Sequence, residues 1–237
     1  MASLVRYPGS IGNVRSSNIP PLPVGRVLRS GLAGFRAGGG ALLVSAAVLM
    51  AVPTAVRLVS LATGNYWTNL ALWILALVVA GYAAWPVSRT ALAAVSPRAR
   101  TEPPPGDWWV RDGFVRSSAV FFLTVAVGTL FFIVPGIMVL MIYSLYAFLI
   151  VERRATGFQA LARSAEMTSG NRIRLLGVVF VCAVLFVPGI AALYWMGTLN
   201  GGEQEVVGSI AFWILGTPAV AFSFTSVAAA YRELAHG

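Results

Sequence analysis

SSAVFFLTVAVGTLFFIVPGIMVLMIYSLYAFLIV, from Ser117 to Val151, runs 35 residues without a charge between Arg116 and Glu152. As one straight α-helix it would extend about 52 Å at about 1.5 Å per residue, against a bilayer hydrocarbon core of about 30 Å. That is too long for one upright span and enough for two short ones. Pro135 and Gly136 stand near the middle, so the segment reads as two antiparallel spans, Ser117–Val134 and Ile137–Val151, turning at Pro135-Gly136. One kinked, tilted helix is the competing reading, and it would reverse the orientation of every later element.

Similar uncharged runs lie on both sides. Spans are expected at about 41–61, 67–87, 117–134, 137–151, 175–198 and 206–230, so the fold class is an all-α integral membrane protein with six transmembrane helices paired as three hairpins. The composition agrees: 58% of residues are apolar and 11% charged, and the mean hydropathy is +0.79, which excludes an ordinary soluble enzyme domain. Residues 1–23, with Pro8, Pro20, Pro21 and Pro23 among Gly, Ser and Asn, read as a disordered tail, and residues 24–237 as a single membrane domain. No secretory leader is evident, so the first span is expected to stay as an anchor. It should bend or end near Pro53, and Ala62–Tyr66 should form a tight turn. Residues 96–109 contain Pro103-Pro104-Pro105-Gly106, which cannot continue a helix, and form the main linker.

Two polar stretches have the pattern of amphipathic interfacial helices. From Val24 to Arg36, Val24, Leu28, Leu32 and Phe35 recur at helical spacing among Arg26, Arg29 and Arg36, with a plain basic loop as the alternative. Between Glu152 and Arg174, Phe158, Leu161, Ala162, Ala165 and Met167 oppose Gln159, Arg163 and Glu166. Gly170 and Asn171 then supply a stop before the fifth span.

All 17 basic residues are arginine, against 8 acids, for a net charge of +9. Sixteen of the 17 fall on one face if there are six spans: five before the first, five from Arg89 to Arg116, five from Arg153 to Arg174, and Arg232. Loops rich in arginine stay on the cytoplasmic side, so both termini are expected there, in a bacterial inner membrane. Arg57 alone falls near an outer turn, where it snorkels or pairs with Glu203 or Glu205. The arginines form clusters between apolar runs, with no basic stripe interleaved with exposed aromatics. That pattern fits anionic lipid and excludes nucleic acid as a partner.

Reactive groups are scarce. His236 is the lone histidine and Cys182 the lone cysteine, so no metal site, disulfide or cofactor is expected. Gly38-Gly39-Gly40 lacks the Lys and Ser or Thr of a phosphate-binding loop. All eight acids lie in loops or at span ends, which disfavours a proton-coupled transporter. Glu152 is expected to pair with a neighbouring arginine or cap the fourth helix. Small residues such as Gly128, Gly177, Gly208 and Gly216 suit close helix packing, a lipid-lined groove or a homo-oligomer interface. A loose repeat is visible at Val52-Pro53, Val134-Pro135 and Val187-Pro188, consistent with duplicated hairpins or with chance likeness among apolar helices.

Pro135-Gly136-Ile137, Glu152, Ala160-Leu161-Ala162-Arg163-Ser164 and Ser169-Gly170-Asn171, with the lead-in VGRVLRSGLAGFR from Val24 and the tail AAAYREL from Ala228, carry a resemblance. Together they resemble the bacterial membrane-domain family found fused to some glycerophosphodiester phosphodiesterases and also as stand-alone YciC-like proteins. The resemblance implies a six-helix membrane domain of unassigned role. It implies no phosphodiesterase activity, because the catalytic part of the fused members is a separate soluble barrel.

The function expected is therefore non-enzymatic: a membrane protein organising lipid or a partner complex, with Arg26, Arg29, Arg153, Arg154 and Arg163 contacting anionic headgroups. The alternative is a small-molecule or lipid transporter built on the helices broken at Pro53, Pro135, Pro188 and Pro218. An intramembrane enzyme using acids with Tyr143 or Tyr146 is the third reading.

Overall fold

A computed structural model describes residues 21–96, 108–131, 133–152, 154–155, 157–200 and 203–236. Nearly all of the expected tail, most of the 96–109 linker and Arg153 lie outside them. Every described element is a helix: α1 Val24–Thr63, α2 Tyr66–Val95, α3 Trp108–Phe131, α4 Ile133–Tyr143, α5 Tyr146–Val151, α6 Phe158–Thr168, α7 Arg172–Val184, α8 Val187–Asn200 and α9 Glu203–His236.

Among the described residues three helices are long and apolar enough to cross a membrane, within α1, α2 and α9, or four if the bent pair α6–α7 is one span. Six continuous spans are not found among these described residues. The expected spans at 137–151 and 175–198 are broken, the first at Ser144-Leu145 and the second at Leu185-Phe186. Pro188 directly follows the second break and sits in the first turn of α8, where its missing N–H leaves no helical bond unmade.

α1 joins the expected surface helix to the first span, and the basic-loop alternative is excluded because Val24 onward is helical. The two parts meet at Gly39, whose φ of 49° and ψ of −138° are open to glycine and strained for other residues. Pro53 neither ends nor interrupts α1, which continues to Thr63. Gly64, at φ 61°, closes α1 through its N–H to the Ser60 carbonyl, and the Asn65 side chain accepts the Trp67 N–H at 2.9 Å to start α2. The tight turn is where the sequence places it.

The segment 117–151 does double back. Tyr146 donates to Ser118 Oγ at 2.8 Å across 28 residues, whereas one straight helix would hold them about 42 Å apart. The reversal lies between α3 and α4, so Pro135 and Gly136 occupy the first turn of α4 instead of the turn between helices. A helix tolerates proline there because the first N–H groups have no internal partner.

The break between α4 and α5 frees backbone groups that an apolar environment cannot satisfy. Helix α6 supplies partners. Ser164 Oγ donates to the Ile142 carbonyl at 2.8 Å and accepts the Leu145 N–H at 3.2 Å. This corrects the expected apolar face of α6. Its buried residues are Ala160, Leu161, Ser164 and Thr168, while Phe158 and Ala162 are exposed. The face follows the hydroxyls that the break requires rather than the bulkiest apolar side chains. The stop expected at Gly170 and Asn171 falls between α6 and α7, where the Asn171 side chain is turned to another use. Its Oδ1 accepts the Leu22 N–H at 2.8 Å and ties the start of α1 to the start of α7.

The core forms around α1, α2 and α9, with all six residues of α5 buried among them. α1 and α9 run antiparallel, joined by Trp213 Nε1 donating to the Ala47 carbonyl at 2.9 Å and by Arg57 with Glu205 at 2.6 Å. Gly31 allows their closest approach: a Cβ there would lie 2.8 Å from Ser226 Cα. The three Val-Pro sites are not equivalent, being mid-helix in α1, in the first turn of α4 and at the start of α8.

Large apolar side chains line the outside of the bundle, among them Val44, Ile74 and Phe180. Near the ends of α2 and α8 remote from the arginine clusters, Tyr66, Trp67, Tyr194 and Trp195 are each more than two-thirds exposed. Rings with one apolar and one polar edge favour the headgroup level of a bilayer.

Candidate functional site

The start of α1, the ends of α5 and α9, helix α6 and the start of α7 converge on one end of the bundle. Their arginines converge with them. Glu152 is the pivot, its side chain only 8% exposed. It accepts Tyr231 Oη at 2.7 Å, Arg154 Nε at 2.9 Å and Arg232 Nη1 at 3.2 Å. A carboxylate withdrawn from water needs such donors, and two guanidiniums leave the cluster with one net positive charge. The sequence expectation that Glu152 pairs with a neighbouring arginine holds. Tyr231 and Arg232, which lie 79 and 80 residues away, were not legible as its partners.

The candidate lipid-contact residues fall around this pivot. Arg26 is exposed and lies 3.8 Å from Glu233 of α9. Arg29 is exposed and folds back on the Gly25 carbonyl at 3.2 Å. Arg154 is exposed beside Glu152, and Arg163 reaches the Arg154 carbonyl at 3.4 Å. Arg153 lies outside the described residues. Arg36, Arg172 and Arg174 are also exposed, and Arg172 and Arg174 come directly after the Asn171 tether to Leu22. Sequence reading placed these three in basic stretches without selecting them; tertiary packing brings them to the same end.

Between α1, α2 and α9 this end contains a cleft of about 550 Å³. Ser30, Gly34, Ala37 and Ala94 form its walls, with Arg232 and Glu233 at the rim. At the opposite end Arg57 is neutralised by Glu205, in agreement with the expected pairing. Among the described residues no three His, Cys, Asp or Glu side chains are grouped to hold a metal.

The chain belongs to a family described as a domain of unknown function (DUF7847), whose model matches residues 3–234. No curated protein and no solved structure matches the chain.

Proposed function

We propose that this is a non-enzymatic, multi-pass membrane protein that holds anionic lipid at the basic end of its bundle and so organises lipid or a partner complex. Both termini lie on the cytoplasmic side of a bacterial inner membrane in this reading. The observation that carries it is the gathering of Arg26, Arg29, Arg36, Arg154, Arg163, Arg172 and Arg174 from three helices and a loop at one end. At the other end Arg57 is paired with Glu205, and exposed Tyr and Trp accompany it. Such an asymmetry matches the retention of arginine on the cytoplasmic side and its attraction to anionic headgroups, each basic group near the surface contributing about 1 kcal/mol. The resemblance to phosphodiesterase-associated membrane domains is in keeping with a role beside lipid.

Native mass spectrometry in mild detergent tests this with phosphatidylglycerol against phosphatidylcholine. The wild-type chain retains the anionic lipid preferentially, and replacing Arg26, Arg29, Arg172 and Arg174 by Gln abolishes the preference. An unchanged preference refutes the reading. Movement of lipid between leaflets is the second reading, favoured by a cavity inside the bundle, and labelled-lipid flux in proteoliposomes tests it.

A further inference from the structure

The bundle encloses a second space, of about 580 Å³, between α1, α2, α3, α4–α5, α7 and α9. We propose that it holds one hydrocarbon chain of a membrane phospholipid, entered sideways from the bilayer. This deepens the lipid-binding reading and rests on it, but it concerns a different part of the molecule.

The lining is almost wholly apolar, and its few hydroxyls are already committed. Ser88 donates to the Ala84 carbonyl at 2.8 Å, Ser144 to Met141 at 3.0 Å, Ser223 to Ala219 at 2.7 Å, and Tyr146 to Ser118 at 2.8 Å. Water needs two to four polar partners, and hydroxyls already donating to backbone carbonyls or to Ser118 offer it few, so the space suits an apolar occupant. Its volume falls within the range of about 300–1,000 Å³ usual for ligand pockets.

Shape narrows the choice. The lining runs along α2 from Trp73 to Ser88, about 22 Å of helix, which exceeds the roughly 15 Å depth of one leaflet's hydrocarbon. A long space among packed helices with almost no polar lining suits an extended hydrocarbon chain, which needs no hydrogen-bond partner along its length. The rim sets the route. Trp73 is 47% exposed and Ala183 is also exposed, both on the sides of membrane-facing helices. The buried Tyr146, Ala147 and Phe148 of α5 close the floor toward the basic end. Lipid chains are the medium outside that rim.

Cys182 lines the cavity and is the one cysteine in the chain, so it reports on occupancy. In delipidated protein held in amphipol, the rate of methyl methanethiosulfonate reaction at Cys182 should fall about tenfold when phosphatidylcholine is added at about ten times its dissociation constant. Phosphatidylglycerol with the same chains should protect equally. With phosphatidylcholine as the sole lipid, native mass spectrometry should show one retained phospholipid on the wild-type chain and none on Ala84→Phe, which fills the space. Val44→Phe, on the exposed face of α1, should retain it. An unchanged Cys182 rate with both lipids overturns the proposal, and so does a dimer or captured polypeptide that protects Cys182 in place of lipid. The Cys182 measurement needs no substitution and stands even if Ala84→Phe does not fold. Replacing Arg26, Arg29, Arg172 and Arg174 by Gln distinguishes the two readings: headgroup preference disappears while Cys182 protection by phosphatidylcholine remains.

Discussion

The Tyr231 hydroxyl lies 2.7 Å from a Glu152 carboxylate oxygen, linking the end of the last helix to the end of the short buried α5. Arg232 on the next residue reaches the other oxygen at 3.2 Å. One acidic group thus anchors two elements at the end of the bundle where the arginines collect.

Removing that anchor has a graded consequence. Tyr231→Phe deletes one hydrogen bond to a charged acceptor and should lower stability by about 1.5–3 kcal/mol. Glu152→Ala removes three bonds at once but leaves Arg154 and Arg232 partly in water, so it should cost more than Tyr231→Phe and less than breaking a fully buried pair, about 3–5 kcal/mol. Thermal unfolding in detergent orders the two variants. Equal stability of Glu152→Ala and wild type would remove Glu152 from its structural role.

Ser164 serves both sides of the α4–α5 break. Ser164→Ala leaves the Leu145 N–H without its partner and removes a donor from the Ile142 carbonyl, at about 1–3 kcal/mol for the buried unsatisfied group. Amide hydrogen exchange should show Leu145 and its neighbours losing protection, with α1 and α9 unaffected. Uniform loss across the chain would contradict a local role.

The reversal between α3 and α4 can be checked through its closing bond. In a double-mutant cycle on Tyr146→Phe and Ser118→Ala, the pair should couple by about 0.5–1.5 kcal/mol. Strict additivity would mean that the two hydroxyls do not meet, and the doubled-back arrangement of 117–151 would lose its main support.

Two glycines in the same helix should respond oppositely. A Cβ at Gly31 meets Ser226 Cα at 2.8 Å, while one at Gly25 meets nothing within 4 Å. Gly31→Ala should therefore destabilise by about 1–3 kcal/mol as α1 and α9 are pushed apart. Gly25→Ala, near the start of α1, should be neutral or stabilising by up to about 1 kcal/mol. The same response at both positions would refute close packing at Gly31.

The sequence by itself determined the all-helical class, the presence of helices apolar enough to cross a membrane, the α1–α2 turn and the clustering of arginine, because each is written in local composition. Uncharged runs must leave water, arginine clusters must not, and Gly64-Asn65 closes one helix and opens the next within a few bonds. Tertiary structure alone decided where helices break and which side chains meet. Val-Pro behaves differently at Pro53, Pro135 and Pro188, since the outcome of a lost backbone hydrogen bond depends on neighbours that local spacing does not encode. The same is true of α6, whose buried face was set by Ser164 and the carbonyl of Ile142, 22 residues away. Glu152 announced that it needed a partner. Only the folded chain could bring Tyr231 and Arg232 to it, because a buried charge is satisfied by proximity in space and not by distance along the chain.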